Sequence, residues 1–297
     1  MPDRRRESGG AETDALRRFL IETAGVRGAL VRLDRSWAAV LDRHPYPAPV
    51  RGPLGEALAA VTLLSSTIKF EGSLILQVES GGPIRTLVVQ ATDRRTLRGL
   101  ARWEGELPDS TALADLFGEG RVVLTATAPG GERYQGVVPL EGKILGDALE
   151  RYFAQSEQLP TRVWLAAGPQ RAAGLLLQAV PGEAAGGEGW VRATALAATL
   201  TSEELLGLPA ETLLHRLFHE ERVRLFDAEP VAFRCGCSRE RIEQLLVSLG
   251  RDELESIVAE QGAVEVTCEF CNRRYRLDAV DAAMLFSGTA GGSDTRH

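Results

Sequence analysis

The sequence predicts an α+β protein: an N-terminal mixed α/β core domain built on antiparallel strands, a helical linker, and a small C-terminal module of two helices plus a β-hairpin. Three observations carry this. Between about residues 74 and 180, short extended runs follow one another across glycine-rich turns with helices interspersed, which fits antiparallel pairing better than a doubly wound parallel sheet. A Gly/Ala/Glu-rich break at 181–189 marks the best domain boundary. All four cysteines of the chain then fall within 235–271.

Taken in order, 54–68 is an apolar helix candidate ending near Gly72. Strands follow at 74–79, 84–91 and 97–103, separated by the turns Ser-Gly-Gly-Pro at 80–83 and Asp-Arg-Arg at 93–95, a meander pattern. Runs 122–127 and 133–138 form a hairpin across Pro-Gly-Gly at 129–131, and a helix at 145–158 leads to strands at 162–166 and 174–180. Beyond the break, 190–221 reads as short helices. Thr201 and Glu204 make a capping box, and Pro209 interrupts the run. From 201 to 230 there are seven acidic and three basic residues around an apolar face of Leu205, Leu206, Leu208, Leu213, Leu214, Leu217 and Phe218. Short isolated helices are marginal in water, so this linker must dock on something.

In the last module Ser238 caps a helix carrying Ile242, Leu245, Leu246 and Leu249 and stopping at Gly250. Asp252 and Glu255 open a second, with Leu254, Ile257 and Val258, closed at Gly262. Strands at 263–267 and 273–277 are joined through Cys268 and Cys271. The expected layout is a disordered 1–12, a core domain at 13–185, a linker at 186–230, the small module at 231–287 and a disordered tail at 288–297.

The hydrophobic fraction of 44% is ample for a sizeable core, and the net charge of −7 over 297 residues argues against a general phosphate-backbone binder. Basic residues are nearly all Arg, with Lys only at Lys69 and Lys143, a bias that a GC-rich genome explains. No apolar run follows the charged N-terminus, and no stretch reaches the roughly 18 apolar residues of a membrane span. With no export signal, close cysteine pairs read as cytosolic metal or redox chemistry, so the chain is expected in the cytoplasm.

Cys235 and Cys237, then Cys268 and Cys271, are two close pairs separated by 30 residues, the spacing of a four-cysteine zinc site. Such pairs also oxidise to disulfides, so the same atoms suit a structural staple or a redox switch. A module this small cannot rely on its core alone, and structural zinc supplies roughly 10–16 kcal/mol in small peptides. Arg234, Arg239, Arg241, Arg273, Arg274 and Arg276 either offset the charge of a zinc tetrathiolate or form a solvated surface. His215 and His219 have helical i, i+4 spacing but no HExxH context, and four cysteines already complete a tetrahedron. The glycine-rich turns lack the endings of phosphate loops, so no nucleotide cofactor is implied. No catalytic nucleophile pattern is present, which weakens the case for an enzyme.

The segment Phe-Arg-Cys-Gly-Cys-Ser-Arg-Glu-Arg at 233–241, followed by Cys-Glu-Phe-Cys-Asn-Arg-Arg-Tyr-Arg-Leu-Asp at 268–278, resembles the redox switch of the heat shock protein 33 family of bacterial redox-regulated holdase chaperones. Segments 69–72, 101–105, 134–140, 152–161 and 216–221 resemble family segments in the same order. The departures are a glycine inside the CxC pair, an N-terminal extension and the tail.

The resemblance implies a non-enzymatic, ATP-independent chaperone in which Cys235, Cys237, Cys268 and Cys271 bind one Zn²⁺ in the reduced, inactive state. Oxidants would pair Cys235 with Cys237 and Cys268 with Cys271 and release the metal. The linker, expected to pack on the zinc module, would then lose its dock and expose apolar surface, with the sheet it covers, to unfolding client proteins. The family also implies a homodimer of the activated form, while the net charge and the lack of a span-length apolar run lead to the expectation of no nucleic-acid or membrane partner. The alternative is a zinc-ribbon protein binding nucleic acid or the ribosome, against which the net charge and acidic linker speak. A thiol–disulfide oxidoreductase would need its CxxC at a helix N-terminus, whereas this one falls between two strands.

Overall fold

A helix that is apolar all round must be covered on every side. Helix Ala48–Leu64 has this character from Leu54 onward, Glu56 apart, with Leu54, Leu58, Val61, Leu63 and Leu64 all buried. It organises the larger of two units. The computed structural model describes residues 14–128, 131–182 and 186–287, and the chain divides between Arg234 and Cys235. The expected N-terminal and C-terminal disorder (1–12 and 288–297) and the tip of the 129–131 turn lie outside the described residues.

In the first unit the strands β1 (Ala15–Ile21) and β2 (Val26–Leu33) form a hairpin, followed by helices α1 (Arg35–Leu41) and α2 (Ala48–Leu64). The predicted meander follows as β3 (Ser73–Ser80), β4 (Ile84–Thr92) and β5 (Thr96–Trp103). Next come α3 (Leu113–Phe117), the hairpin β6 (Gly120–Thr127) and β7 (Arg133–Pro139), and α4 (Leu145–Tyr152). The helix expected over 145–158 changes to a π turn at Phe153–Glu157 and ends on Gln158 at φ 53°. Strands β8 (Thr161–Ala167) and β9 (Ala172–Ala179) lead to helices α5 (Glu188–Ala197), α6 (Ser202–Gly207) and α7 (Ala210–Phe218), then strands β10 (Val223–Pro230) and β11 (Ala232–Phe233).

Two sheets enclose α2. One has the order β10-β1-β2-β9-β8, all antiparallel; the other is β11-β5-β4-β3-β6-β7, with β11 parallel to β5. Glycine lets the helix press onto the first sheet: a Cβ on Gly174 of β9 would lie 2.7 Å from Leu63. Every residue of β9 is buried, and its sequence Ala-Ala-Gly-Leu-Leu-Leu-Gln-Ala is nearly all apolar, as expected of a strand covered on both faces. Leu176 faces the α2 core, whereas Ala173, Leu175 and Leu177 join a second cluster with Phe19, Ile21 and Leu30.

The cover on that second face is the linker. Ala193, Ala197, Leu205, Leu213, Leu214, Leu217 and Phe218 are buried in the same cluster. The expectation that this segment docks on the small module is therefore corrected: its apolar face is buried against the β-sheet of the large unit. Nor is it all helix, because 223–230 runs antiparallel to β1 with Ala15 opposite Pro230. Polar ties reinforce the dock. Glu221 accepts hydrogen bonds from Arg192 and Thr23, and Arg171 bridges Asp34 and the Leu206 carbonyl. The boundary expected at 181–189 thus lies within one folded unit, whose end is held by Val231 N–H on the Asp14 carbonyl and Arg234 N–H on Leu97.

The second unit contains α8 (Arg239–Leu249), α9 (Arg251–Gln261), the hairpin β12 (Ala263–Thr267) and β13 (Arg274–Asp278), and α10 (Ala279–Ser287). The last helix adds to the two expected. Its core is small: Ile242, Leu246, Leu254, Val264, Tyr275, Leu277 and Ala282. Among the described residues no helix is long and apolar enough to cross a membrane.

Candidate metal centre

Two short backbone devices bring the sulfurs together. The first pair lies on the irregular segment before α8, whose start is set by Ser238 accepting the Arg241 N–H at 3.4 Å. Arg241 in turn donates to the Gly236 carbonyl at 2.8 Å, bracing the turn between Cys235 and Cys237. The second pair sits at the tip of the β12–β13 hairpin. Cys268 N–H bonds the Arg273 carbonyl, Asn272 N–H bonds the Cys268 carbonyl, and Asn272 adopts φ 57° to close the knuckle.

All four Sγ atoms lie within 4.8 Å of one another, with Cys235–Cys268 at 3.6 Å and Cys237–Cys271 at 3.3 Å. A tetrahedral ion with metal–sulfur bonds of ~2.3 Å places its sulfurs ~3.8 Å apart, so the spread brackets that of a four-sulfur metal site. None is joined in a disulfide, and all are half-buried. The soft donor set and tetrahedral spacing suit zinc or another thiophilic divalent ion. Among the described residues these four cysteines are the one cluster of three or more potential metal ligands.

Burial and crowding favour the protonated form of two of the thiols, Cys268 and Cys271. Burial raises Cys268, and burial together with the neighbouring thiols pushes Cys271 up to about 12. Backbone N–H groups oppose this: Phe270 and Cys271 donate to Cys268, and Arg273 donates to Cys271. A divalent cation held by the four sulfurs would overcome that resistance and release protons.

The surrounding arginines divide by role. Arg239 pairs with Glu243 and Asp281, and Arg276 with Glu265, as a solvated charged surface would. Arg273 interacts with Cys237, Cys271 and Tyr275 and so faces the sulfur cluster. His215 and His219 stack at 6.1 Å on the exposed side of α7 and are not part of this cluster.

One participant escaped the sequence reading. Tyr275 O–H donates to Cys237 Sγ at 3.1 Å while its ring is buried in the core of the small unit. The available signal was its position: Tyr275 and Leu277 occupy the inward-facing places of β13, so a hydroxyl there needs a partner close to the knuckle.

Comparison with known proteins agrees with this architecture. A family described as "Hsp33 protein" matches residues 14–278. A 33 kDa chaperonin of Nitrosococcus oceani is 56% identical over 286 residues, covering 96% of this chain and 99% of that protein. A 33 kDa chaperonin of Pseudomonas fluorescens is 48% identical over 296 residues, covering 96% and 98%. The crystal structure of the 33 kDa chaperonin (heat shock protein 33 homolog) of Thermotoga maritima superimposes with a TM-score of 0.82 at 24% identity, covering 94% of this chain and 99% of that one, a likeness of fold. With the family pattern spanning nearly every described element and close relatives matched end to end, the chain belongs to the Hsp33 family.

Proposed function

We propose that this chain is a redox-regulated, ATP-independent holdase chaperone of the cytoplasm, not an enzyme, inactive while reduced and zinc-bound. The observation that carries the proposal is the gathering of four half-buried sulfurs within 4.8 Å in a unit whose own core is small. One Zn²⁺ per chain, held by Cys235, Cys237, Cys268 and Cys271, would supply the stability that so little apolar burial leaves wanting. The chain's part is to present four thiolates in tetrahedral array and to brace both turns with the hydrogen bonds described above.

Peroxide is the oxidant class that suits this site. Two thiolates, one peroxide and two protons give one disulfide and two waters, so two such events consume all four ligands and free the ion. Pairing within each arm, Cys235 with Cys237 and Cys268 with Cys271, leaves the two arms unlinked. A cross-link such as Cys237–Cys268 would instead keep the unit tied together. The family resemblance supports the pairing within arms.

The route from switch to client runs along the chain. Cys235 lies two residues after Phe233 of β11, which pairs with Leu97, and β10 with the linker helices comes just before β11 in the chain. Loss of the small unit's fold would loosen these attachments and release α5 to α7 from Phe19, Leu30, Leu175 and Leu177. The uncovered sheet and helix faces would hold unfolding proteins without nucleotide, with a homodimer as the activated form.

Light scattering of a thermally unfolding client tests the proposal, run with reduced and oxidised protein alongside zinc and free-thiol titration, with and without ATP. Protection by the oxidised form alone, independent of ATP and accompanied by zinc release, is expected. Equal protection by both redox forms, or a strict ATP requirement, would refute it.

A further inference from the structure

The sulfurs receive hydrogen bonds of two kinds. Cys268 and Cys271 are served by backbone N–H groups that any residue could provide. Cys237 is served by a side chain, the Tyr275 hydroxyl at 3.1 Å. The ring is 9% exposed and packs among Ile242, Leu246, Leu254 and Leu277. A phenylalanine there would retain that apolar burial, so the hydroxyl is the feature that the core does not require.

We propose that Tyr275 is a positioning residue of the redox switch: its O–H···S bond fixes the Cys237 sulfur in the metal-binding array and restrains its reaction with peroxide, setting the oxidant dose at which the CxC arm leaves the metal. The proposal rests on the metal-thiolate reading of the preceding subsection. A donor pointed at a thiolate draws on the lone pair that would otherwise attack, and hydrogen bonds to charged acceptors are the strong ones. In the restrained step the Cys237 thiolate attacks one peroxide oxygen. An S–O bond forms, the O–O bond breaks and hydroxide leaves, giving a sulfenic acid. The Cys235 thiolate then attacks that sulfur and expels a second hydroxide. The two sulfurs are oxidised by two electrons to a disulfide, and the peroxide is reduced to two hydroxides, which solvent protons convert to water.

Tyr275→Phe removes the hydroxyl and keeps the ring. In full-length metal-loaded protein, mass-spectrometric alkylation rates should show Cys237 reacting about tenfold faster, the scale of one hydrogen bond to a charged acceptor, with Cys268 and Cys271 unchanged. In the cobalt-substituted protein, the sulfur-to-metal charge-transfer band should move to lower energy, a signature that altered packing alone would not produce. An unchanged Cys237 rate and band in Y275F would overturn the assignment, as would equal acceleration of Cys237, Cys268 and Cys271. Wild-type protein that takes up cobalt, with Y275F indistinguishable from it, sinks the tyrosine assignment alone. Wild-type protein that takes up no cobalt sinks the metal reading and this inference with it.

Discussion

Helix α2 and the sulfur cluster are the organising features of their units, and they work by opposite means. Around α2, two sheets bury an unbroken apolar surface, and the linker adds a further layer by covering the outer face of β9. That unit is held by area removed from water, spread over many residues, so no single contact decides its fate. In the small unit seven buried residues form the core, and four sulfurs are placed where one ion would join its beginning to its hairpin. Stability concentrated in one ion can be withdrawn by oxidising the few sulfurs that would hold it, whereas stability spread over a core cannot. The linker belongs physically to the first kind of structure and covalently borders the second.

The sharpest way to break this comparison is to strip the metal. Chelation, or Cys268→Ser, should unfold 235–287 and raise exchange in the linker at 188–230, while leaving α2 and β2 to β9 protected, with a loss on the order of 10 kcal/mol for the small unit. Protection lost in α2 and β3 to β6 would show that the two units are not independent. The metal-loaded unit should lose its ion, and hence stability, as acid protonates the thiolates. Thermal melts of the metal-loaded protein across pH check that slope.

Next in size is Phe218→Ala, which removes a ring buried against the sheet and in contact with Phe19 at 6.2 Å between centroids. A cost of about 3–5 kcal/mol is expected, with faster exchange in 188–218 and metal content unchanged. Easier release of metal to a chelator in this variant would measure the coupling between linker docking and the metal site on which the proposed route depends.

Two smaller effects sharpen the picture of the large unit. Burial in α2 pushes Glu56 up to about 7, so its folded form favours the protonated acid. The associated stability is present below the ordinary value of 4.5 and is lost as pH rises through about 7. Glu56→Gln should flatten that window and stabilise the protein by about 1–2 kcal/mol at pH 8, read from denaturant titrations. Thr201→Ala should cost about 1 kcal/mol, since Thr201 Oγ1 accepts the Glu204 N–H at 3.2 Å and Glu204 returns the bond to Thr201 N–H at 3.0 Å. Its signature is faster exchange confined to α6.

Features written in local pattern were legible in the residues alone. The extended runs of β3 to β9, the strongly apolar character of α2, the Thr201 and Ser238 caps and the paired cysteines are each legible over a few residues. Short-range sterics and burial demand act at that scale. The tertiary structure alone decided what distant partners supply. Residues 223–230 carry mixed charge and no strong strand signal, yet form an edge strand because β1, some two hundred residues earlier, offers its free edge. The linker face was legible as apolar but not its dock, since nothing local distinguishes one apolar surface from another; the doubly buried β9 settles it. The Tyr275 hydroxyl likewise acquires its role only when the β12–β13 hairpin folds against the CxC turn, because a hydrogen bond to sulfur depends on where two distant backbones meet.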